Sequence, residues 1–520
     1  MFYARQKKGI GYTLALSLVL TGALSACGNG NGDDKTSSPS GSASGTAAAS
    51  PSQTATASGG AAPSESALDP YELTLYFFGD PQKDTELIEK EVDKYIGPKI
   101  NATVKINFIP WAEAEQKVPV LLASGQKIDV LFTQAKHMIP LASKGALTPV
   151  NDLLEKYGQD ALGSMYGKFL DLSKVGGKNY AVQNPKEIAS EWVLRFNKPL
   201  ADKNGIDLSG VKSIADAEPV LKQLKEKDPT IYPIEPSQQA LWYVPFDYVM
   251  NENIPFGMIY DPAATDGKIV NMWETSQAKQ ALATVRAYYK AGYVRPDAAT
   301  YKRPDNEEQA GKWLTGIAGG IPTADVIWSN RAGFDVTYAP IEKPIVTTSS
   351  VMGSMLTIPT TSKNPERAMM FINLLHADKY LHNLFVYGIE GVHYEKVSDN
   401  VVKDLPARKE RWNTGWFQFG NGFLTYLTEA DPADKWDQFK AFNEQAQVSP
   451  LVGFVFDPTP VQAEIANIQN VTAAIKLPLI TGSVDPDKFL PSAIEKLKDA
   501  GSDKVIAEMQ KQYDAWKAAQ

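Results

Sequence analysis

The chain has 520 residues, with 60 Asp plus Glu against 52 Lys plus Arg for a net charge of −8, one cysteine and four histidines. The acidic balance argues against nucleic acid and against a polybasic membrane contact, and a lone cysteine leaves no internal disulfide. A single core stops growing at roughly 250–300 residues, so this length points to more than one domain.

Arg5, Lys7 and Lys8 precede an apolar stretch over 10–23 that is too short for a secure membrane span, and Leu24-Ser25-Ala26-Cys27 closes it. The arrangement resembles a lipoprotein signal peptide over 1–26. That implies cleavage before Cys27, a diacylglycerol on its sulfur, an acyl group such as palmitate on the new amine, and a mature net charge of −11. From 28 to 66 there is no Val, Ile, Leu, Met or aromatic residue. Such a segment cannot bury enough apolar surface to order itself, so 27–67 is expected to be a leash with a root-mean-square reach of about 35 Å.

Residues 71–78 form an apolar run that reads as a buried strand, and Gly79-Asp80-Pro81 turns it into a helix over 84–95. The pattern repeats with a strand over 102–109, a helix over 111–124 ended by Gly125, and a short strand over 128–132. This alternation predicts α/β architecture, with ligand beyond the carboxyl ends of the strands, at Phe78, Gly79, Asp80, Thr133 and Gln134. Further on, 191–197 reads as a strand, 213–227 and 275–290 as amphipathic helices, and 379–386 as a helix stopped by Gly388. Asn364 and Pro365 make a helix start, with Ala368, Phe371, Ile372 and Leu375 as its buried stripe. The tail over 460–519 is helical apart from a loop over 477–487.

The chain has no phosphate-binding loop, no G-x-S-x-G, no H-E-x-x-H and no calcium-loop pattern, and its G-x-G run lies in the leash at 28–32. No cofactor and no metal are expected. His376 and His382, six residues apart, do not share a helical face as a zinc pair would. Carboxylates are numerous, so counting alone leaves a glycosidase pair open. The distinctive feature is aromatic: Trp111, Trp192, Trp242, Tyr243, Phe246, Trp313, Trp328, Trp412, Trp416, Phe417 and Phe419 stand near strand ends or in loops. Flat rings beside amides and charges suit a polyhydroxylated ligand, although a tryptophan is more often core. Residues 240–243 and 412–421 mix rings with Gly and amides as a binding loop would, which singles out Trp242, Tyr243, Trp416 and Asn421.

Lipobox, leash and two-lobed α/β body resemble the extracellular solute-binding lipoproteins of ABC importers. The stretches 178–182, 193–198, 289–293 and 387–394 are similar to the large carbohydrate-type members common in Gram-positive bacteria. The tail from 456 onward resembles the C-terminal domain of uncharacterised function that closes many of them. The resemblance implies a two-lobed type II binding-protein fold, each lobe a mixed sheet flanked by helices. Lobe 1 would take 68–190 and about 345–395, lobe 2 would take 191–344 and about 396–445, and 446–520 would form a mostly helical domain. The lobes would be joined by crossings near 191–197, near 347–358 and after Tyr394, with Glu390 and His393 brought to the cleft edge near the hinge, and Trp192 and Arg195 on the first crossing are further ligand candidates. It further implies a non-enzymatic monomer held by lipid at the outer face of the cell membrane, taking an oligosaccharide or glycoside and docking on an importer permease. A peptide or other solute receptor, a sensory lipoprotein and a glycan-active enzyme remain the alternatives.

Overall fold

Strands Tyr71–Phe78 and Ala102–Ile109 pair in parallel along their whole length, and Val130–Thr133 joins the other side of the first, also parallel. The computed structural model describes residues 68–165, 167, 174–237, 239–260, 266–304 and 306–519. Cys27, the segment 1–26 and the leash 27–67 lie outside the described residues. Met355–Thr357 and Val182–Gln183 complete the sheet in antiparallel sense, so it is mixed. Side chains alternate across it: Phe77 meets Phe385 and Phe419 on one side, while Phe78 meets Trp111 and His137 on the other. Helices close both sides. One is Pro365–Ala377, where Asn364 accepts the Arg367 N–H and Pro365 opens the first turn, and another is Lys379–Val386, capped by Asp378.

The second lobe is built on Glu191–Asn197, the central strand between Thr315–Gly320 and Val336–Pro340, both antiparallel to it. Leu194 and Phe196 pack on Leu221, Leu224 and Val285, while Val193 packs on Trp313 and Trp328. A further core gathers strand Phe256–Ile259, helix Ser276–Lys290 and the three C-terminal helices Gln462–Ile480, Pro486–Asp499 and Ser502–Ala518. The C-terminal helices therefore complete the second lobe rather than standing apart from it.

Three chain segments join the lobes. Ser190 and Ile345 exchange backbone hydrogen bonds of 3.1 and 2.8 Å, and Ile345–Val346 pairs in parallel with Gln447–Val448. Ile188, Ala189, Val346, Val351 and Val452 form a small apolar knot of their own there. Asn443 ties it together: its Oδ1 accepts the N–H groups of Ile188 and Ala189 at 3.0 and 3.1 Å, and its Nδ2 donates to the Lys186 carbonyl at 2.9 Å. Three connections gathered at one place, with a small core of their own, are what a hinge requires.

Several expected boundaries move. The first crossing is 184–190, and 191–197 is instead the middle of a sheet, because both its edges are occupied by other strands. The last crossing lies beyond residue 426, not just after Tyr394. The stretch 396–426, expected in the second lobe, packs in the first: Trp412 donates its indole N–H to the Phe385 carbonyl at 3.0 Å, and Phe419 lies 4.7 Å from Phe77. The helix after the first strand runs Thr85–Ile100, past the predicted end, since Ile96 and Ile100 continue its buried stripe. No helix among the described residues is long and apolar enough to cross a membrane.

Candidate functional site

The carboxyl ends of Tyr71–Phe78 and Val130–Thr133 meet the start of Met355–Thr357 and the end of Val182–Gln183 at one edge of the first sheet. Gln418 bolts the loop 416–424 to that edge. Its Oε1 accepts the Phe78 N–H and its Nε2 donates to the Phe78 carbonyl, both at 2.8 Å, so a side-chain amide continues the ladder where the strand runs out. The Phe417 carbonyl is fixed in turn by Ser354 Oγ at 2.5 Å and Asn184 Nδ2 at 3.0 Å. The result is a ring cluster: Phe78 lies 5.2 Å from Phe132 and 5.3 Å from Trp111, and Phe417 lies 6.0 Å from Phe132 and 6.1 Å from Trp111. Trp111 is 43% exposed and forms the outer face of an otherwise buried or half-buried group. Trp416 extends it to Trp436, 5.5 Å away.

Polar groups behind the rings are partly unspent. Thr133 Oγ1, Asn184 Oδ1 and His137 Nε2 are buried without a partner. Burial pushes His137 down to about 4, so the ring is neutral. Its Nδ1 accepts the Gln134 N–H at 3.3 Å, which leaves the proton on Nε2. Gln134 caps the helix Ala135–Ser143 and donates from Nε2 to the Gly353 carbonyl at 3.1 Å. Gly79 continues the ladder to the Ile109 carbonyl at 2.9 Å, and Asp80 is exposed beside it.

On the second lobe, Trp192 follows directly on the first crossing and lies 5.9 Å from Tyr243, both rings half-buried. Glu342 holds this pair, accepting the Trp192 N–H on Oε1 at 3.0 Å and the Tyr243 hydroxyl on Oε2. Trp242 stacks on the buried Trp273 at 5.5 Å and 29°. Arg195 faces away from these rings. Its guanidinium is buried against Glu235 at 2.5 Å and Glu308 at 2.6 Å, an ion-pair hub within the lobe.

The candidates thus fall into two groups and a remainder. Phe78, Gly79, Asp80, Thr133, Gln134 and Trp416 share the edge of the first sheet, and Trp192 and Tyr243 share a wall of the second lobe. His393 is fully buried, with Nε2 3.0 Å from Asp84, and its Nδ1 accepts the Ile389 N–H. Gly388, at φ +86°, brings the chain so close to this imidazole that a Cβ there would collide with it. Glu390 is exposed and pairs with Lys396 at 3.5 Å. Both belong to a turn fastened to the start of helix Thr85–Ile100, apart from the ring clusters. Asn421 caps the turn Gly422–Leu424. His376 and His382 are buried on different partners, Ser164 for the first, the Phe419 carbonyl and Thr425 for the second. No group of three or more potential metal ligands is found among the described residues. Phe246, Trp313, Trp328, Trp412 and Phe419 are core. Sequence reasoning named Trp111 among the rings without selecting it, and missed Glu342, which carries no local signal.

The chain matches the profile of bacterial extracellular solute-binding proteins over 84–380 and that of a domain of unknown function over 450–518. It is 31% identical over 512 residues to a carbohydrate ABC transporter substrate-binding protein of Streptococcus pneumoniae, spanning 98% of each. Among solved structures it is similar to the N-glycan transport solute binding protein of S. pneumoniae, with TM-score 0.78 and 33% identity over 86% of this chain and 99% of that one. Against the same protein in complex with Man1GlcNAc the TM-score is 0.67, at 32% identity over 86% of this chain and 99% of that one.

Proposed function

This chain belongs to the family of bacterial extracellular solute-binding proteins, and from that premise we propose that it is the lipid-anchored receptor of an ABC importer, gripping an oligosaccharide built of mannose and N-acetylglucosamine between its lobes. Its role is to bind carbohydrate, not to transform it. The observation that most directly supports the site is the half-exposed Trp111 on a ring cluster fixed at the sheet edge where α/β sheets take their ligands. Sugar C–H faces stack on such a ring, while Asp80 and the Tyr243 hydroxyl supply polar contacts. Solute on the first lobe would draw the second over it, and only interactions that form on closure can shift the equilibrium between the two arrangements.

A thermal-shift and calorimetric screen of residues 68–520 against mannose–GlcNAc oligosaccharides tests the reading, because a ligand that binds only the folded form raises the melting temperature. Trp111→Ala should fold normally and bind about tenfold more weakly or worse, since one lost ring contact is worth roughly 0.5–1.5 kcal/mol beyond the area it buries. Unchanged affinity would remove Trp111 from the site, and no response to any glycan would sink the carbohydrate reading.

The anchor has its own test. With the thiol of Cys27 acylated, the protein partitions with the cell membrane. Cys27→Ala should appear in the culture medium or as an uncleaved precursor that takes up no labelled fatty acid. Equal lipid labelling of the variant would overturn the assignment of Cys27.

A further inference from the structure

Glu342 belongs to no ion pair among the described residues, yet it connects three parts of the second lobe. It lies between strand Val336–Pro340 and the crossing strand Ile345–Val346. One carboxyl oxygen fixes the backbone of Trp192 at the exit of the first crossing, and the other meets the Tyr243 hydroxyl in the loop before Phe246–Tyr248. The titratable groups facing it are Tyr243 and Glu191, and Lys343, its chain neighbour, is exposed. An amide could accept the Trp192 N–H but could then only donate to the tyrosine oxygen, whereas a carboxyl can accept from that hydroxyl or donate to it, according to its proton. Burial, reinforced by the like charge of Glu191, pushes Glu342 up to about 8.

We propose that Glu342 is a positioning residue of the ligand cleft: it fastens the Trp192–Tyr243 ring pair to the second crossing, and its proton decides whether the Tyr243 hydroxyl offers a hydrogen or only lone pairs to a bound glycan. The inference rests on the receptor reading given above. In the neutral state the acid O–H donates to the tyrosine oxygen, which frees the phenolic hydrogen for a sugar oxygen. In the ionised state both carboxylate oxygens accept, the phenolic hydrogen is drawn inward, and the tyrosine can only accept. The exchange alters about one hydrogen bond at the cleft, which corresponds to a few-fold change in affinity.

The test compares the full mature chain with E342Q and Y243F. Calorimetric titration with a mannose–GlcNAc oligosaccharide between pH 6.5 and 9.5 should show wild-type affinity changing about fivefold across the range where Glu342 ionises. Both variants should give flat profiles. A ligand-free arm measures melting temperatures over pH 5–9. Because the folded-state pKa is raised, the stability from the neutral acid is complete below about 4.5, the ordinary value, and is lost as pH rises through about 8. Wild type should therefore fall relative to E342Q, which does not titrate. Identical pH profiles of affinity in wild type and E342Q, or a melting difference that stays constant across pH, overturn the proposal. A wild type that binds no glycan at any pH sinks the receptor reading instead, and the ligand-free arm then decides on Glu342 alone.

Discussion

Arg195→Ala is expected to lower the unfolding free energy by about 3–5 kcal/mol in urea denaturation, the scale of an uncompensated buried charge. Arg195 donates to Glu235 from Nε at 3.1 Å and from Nη2 at 2.5 Å, and to Glu308 from Nη1 at 2.6 Å. Its guanidinium also lies over the rings of Trp313 and Trp328, at 5.1 and 5.8 Å. Truncation leaves two carboxylates, 4% and 5% exposed, with only Arg303 and Arg331 from the rim to answer them. Burial alone would raise the Glu308 carboxyl, but bonds from Arg331 and Arg195 bring it below its ordinary value instead. That stabilisation is present above the unfolded pKa and fades as pH falls through the folded one, so wild type and Arg195→Ala should converge in acid. Arg195→Lys should rescue little, because an ammonium cannot make the bidentate bond to Glu235 while reaching Glu308. A loss below about 1 kcal/mol at neutral pH would show that the rim arginines suffice.

This hub illustrates what the sequence could and could not carry. Tyr71–Phe78, Ala102–Ile109 and Glu191–Asn197 are legible to the residue, because a dense apolar run or a strict apolar–polar alternation bounded by turn residues leaves few other readings. The helix start at Asn364 and Pro365 is legible for the same local reason. Arg195, by contrast, sits in the middle of a readable strand while its partners lie 40 and 113 residues away, so a candidate for ligand binding proves to be an internal clamp. Residues 412–421 are visible as a cluster of rings and amides, but the bonds that attach them to the first lobe, such as Gln418 to Phe78, 340 residues apart, and Phe417 to Ser354, join positions far apart in sequence. Glu390 and His393 drew notice from their Gly-flanked turn, and the buried Asp84 explains that turn without any ligand. Strand ends could be read because topology alone directs them to one edge. Which rings line that edge could not, since an indole gives the same local signal in a core as on a wall.

Ending the chain after Ser449 is expected to abolish a soluble second lobe, the largest effect anticipated for this protein. Fifteen buried apolar residues beyond that point, from Leu451 to Tyr513, pack on Phe246, Ile254, Phe256, Met272, Trp273 and Leu282. Each large side chain of that kind contributes about 1.5–3 kcal/mol on burial. Their sum exceeds the 5–15 kcal/mol that separates a typical folded domain from its unfolded chain. The remaining half of the core would be left as a contiguous apolar face, which drives association rather than a stable monomer. The loss would also reach the hinge. The Leu451 carbonyl accepts the Thr348 hydroxyl at 2.7 Å, and the Gly453 N–H donates to the Thr348 hydroxyl oxygen at 3.0 Å. A helical tail that shares a core with one lobe and grips two crossings would set where closure pivots, not merely decorate the lobe. Size-exclusion chromatography and thermal unfolding of the 1–449 chain decide the matter. Aggregation or non-cooperative melting is the expected result, whereas a monomer that melts cooperatively and still binds glycan would show that the C-terminal helices are an appendage.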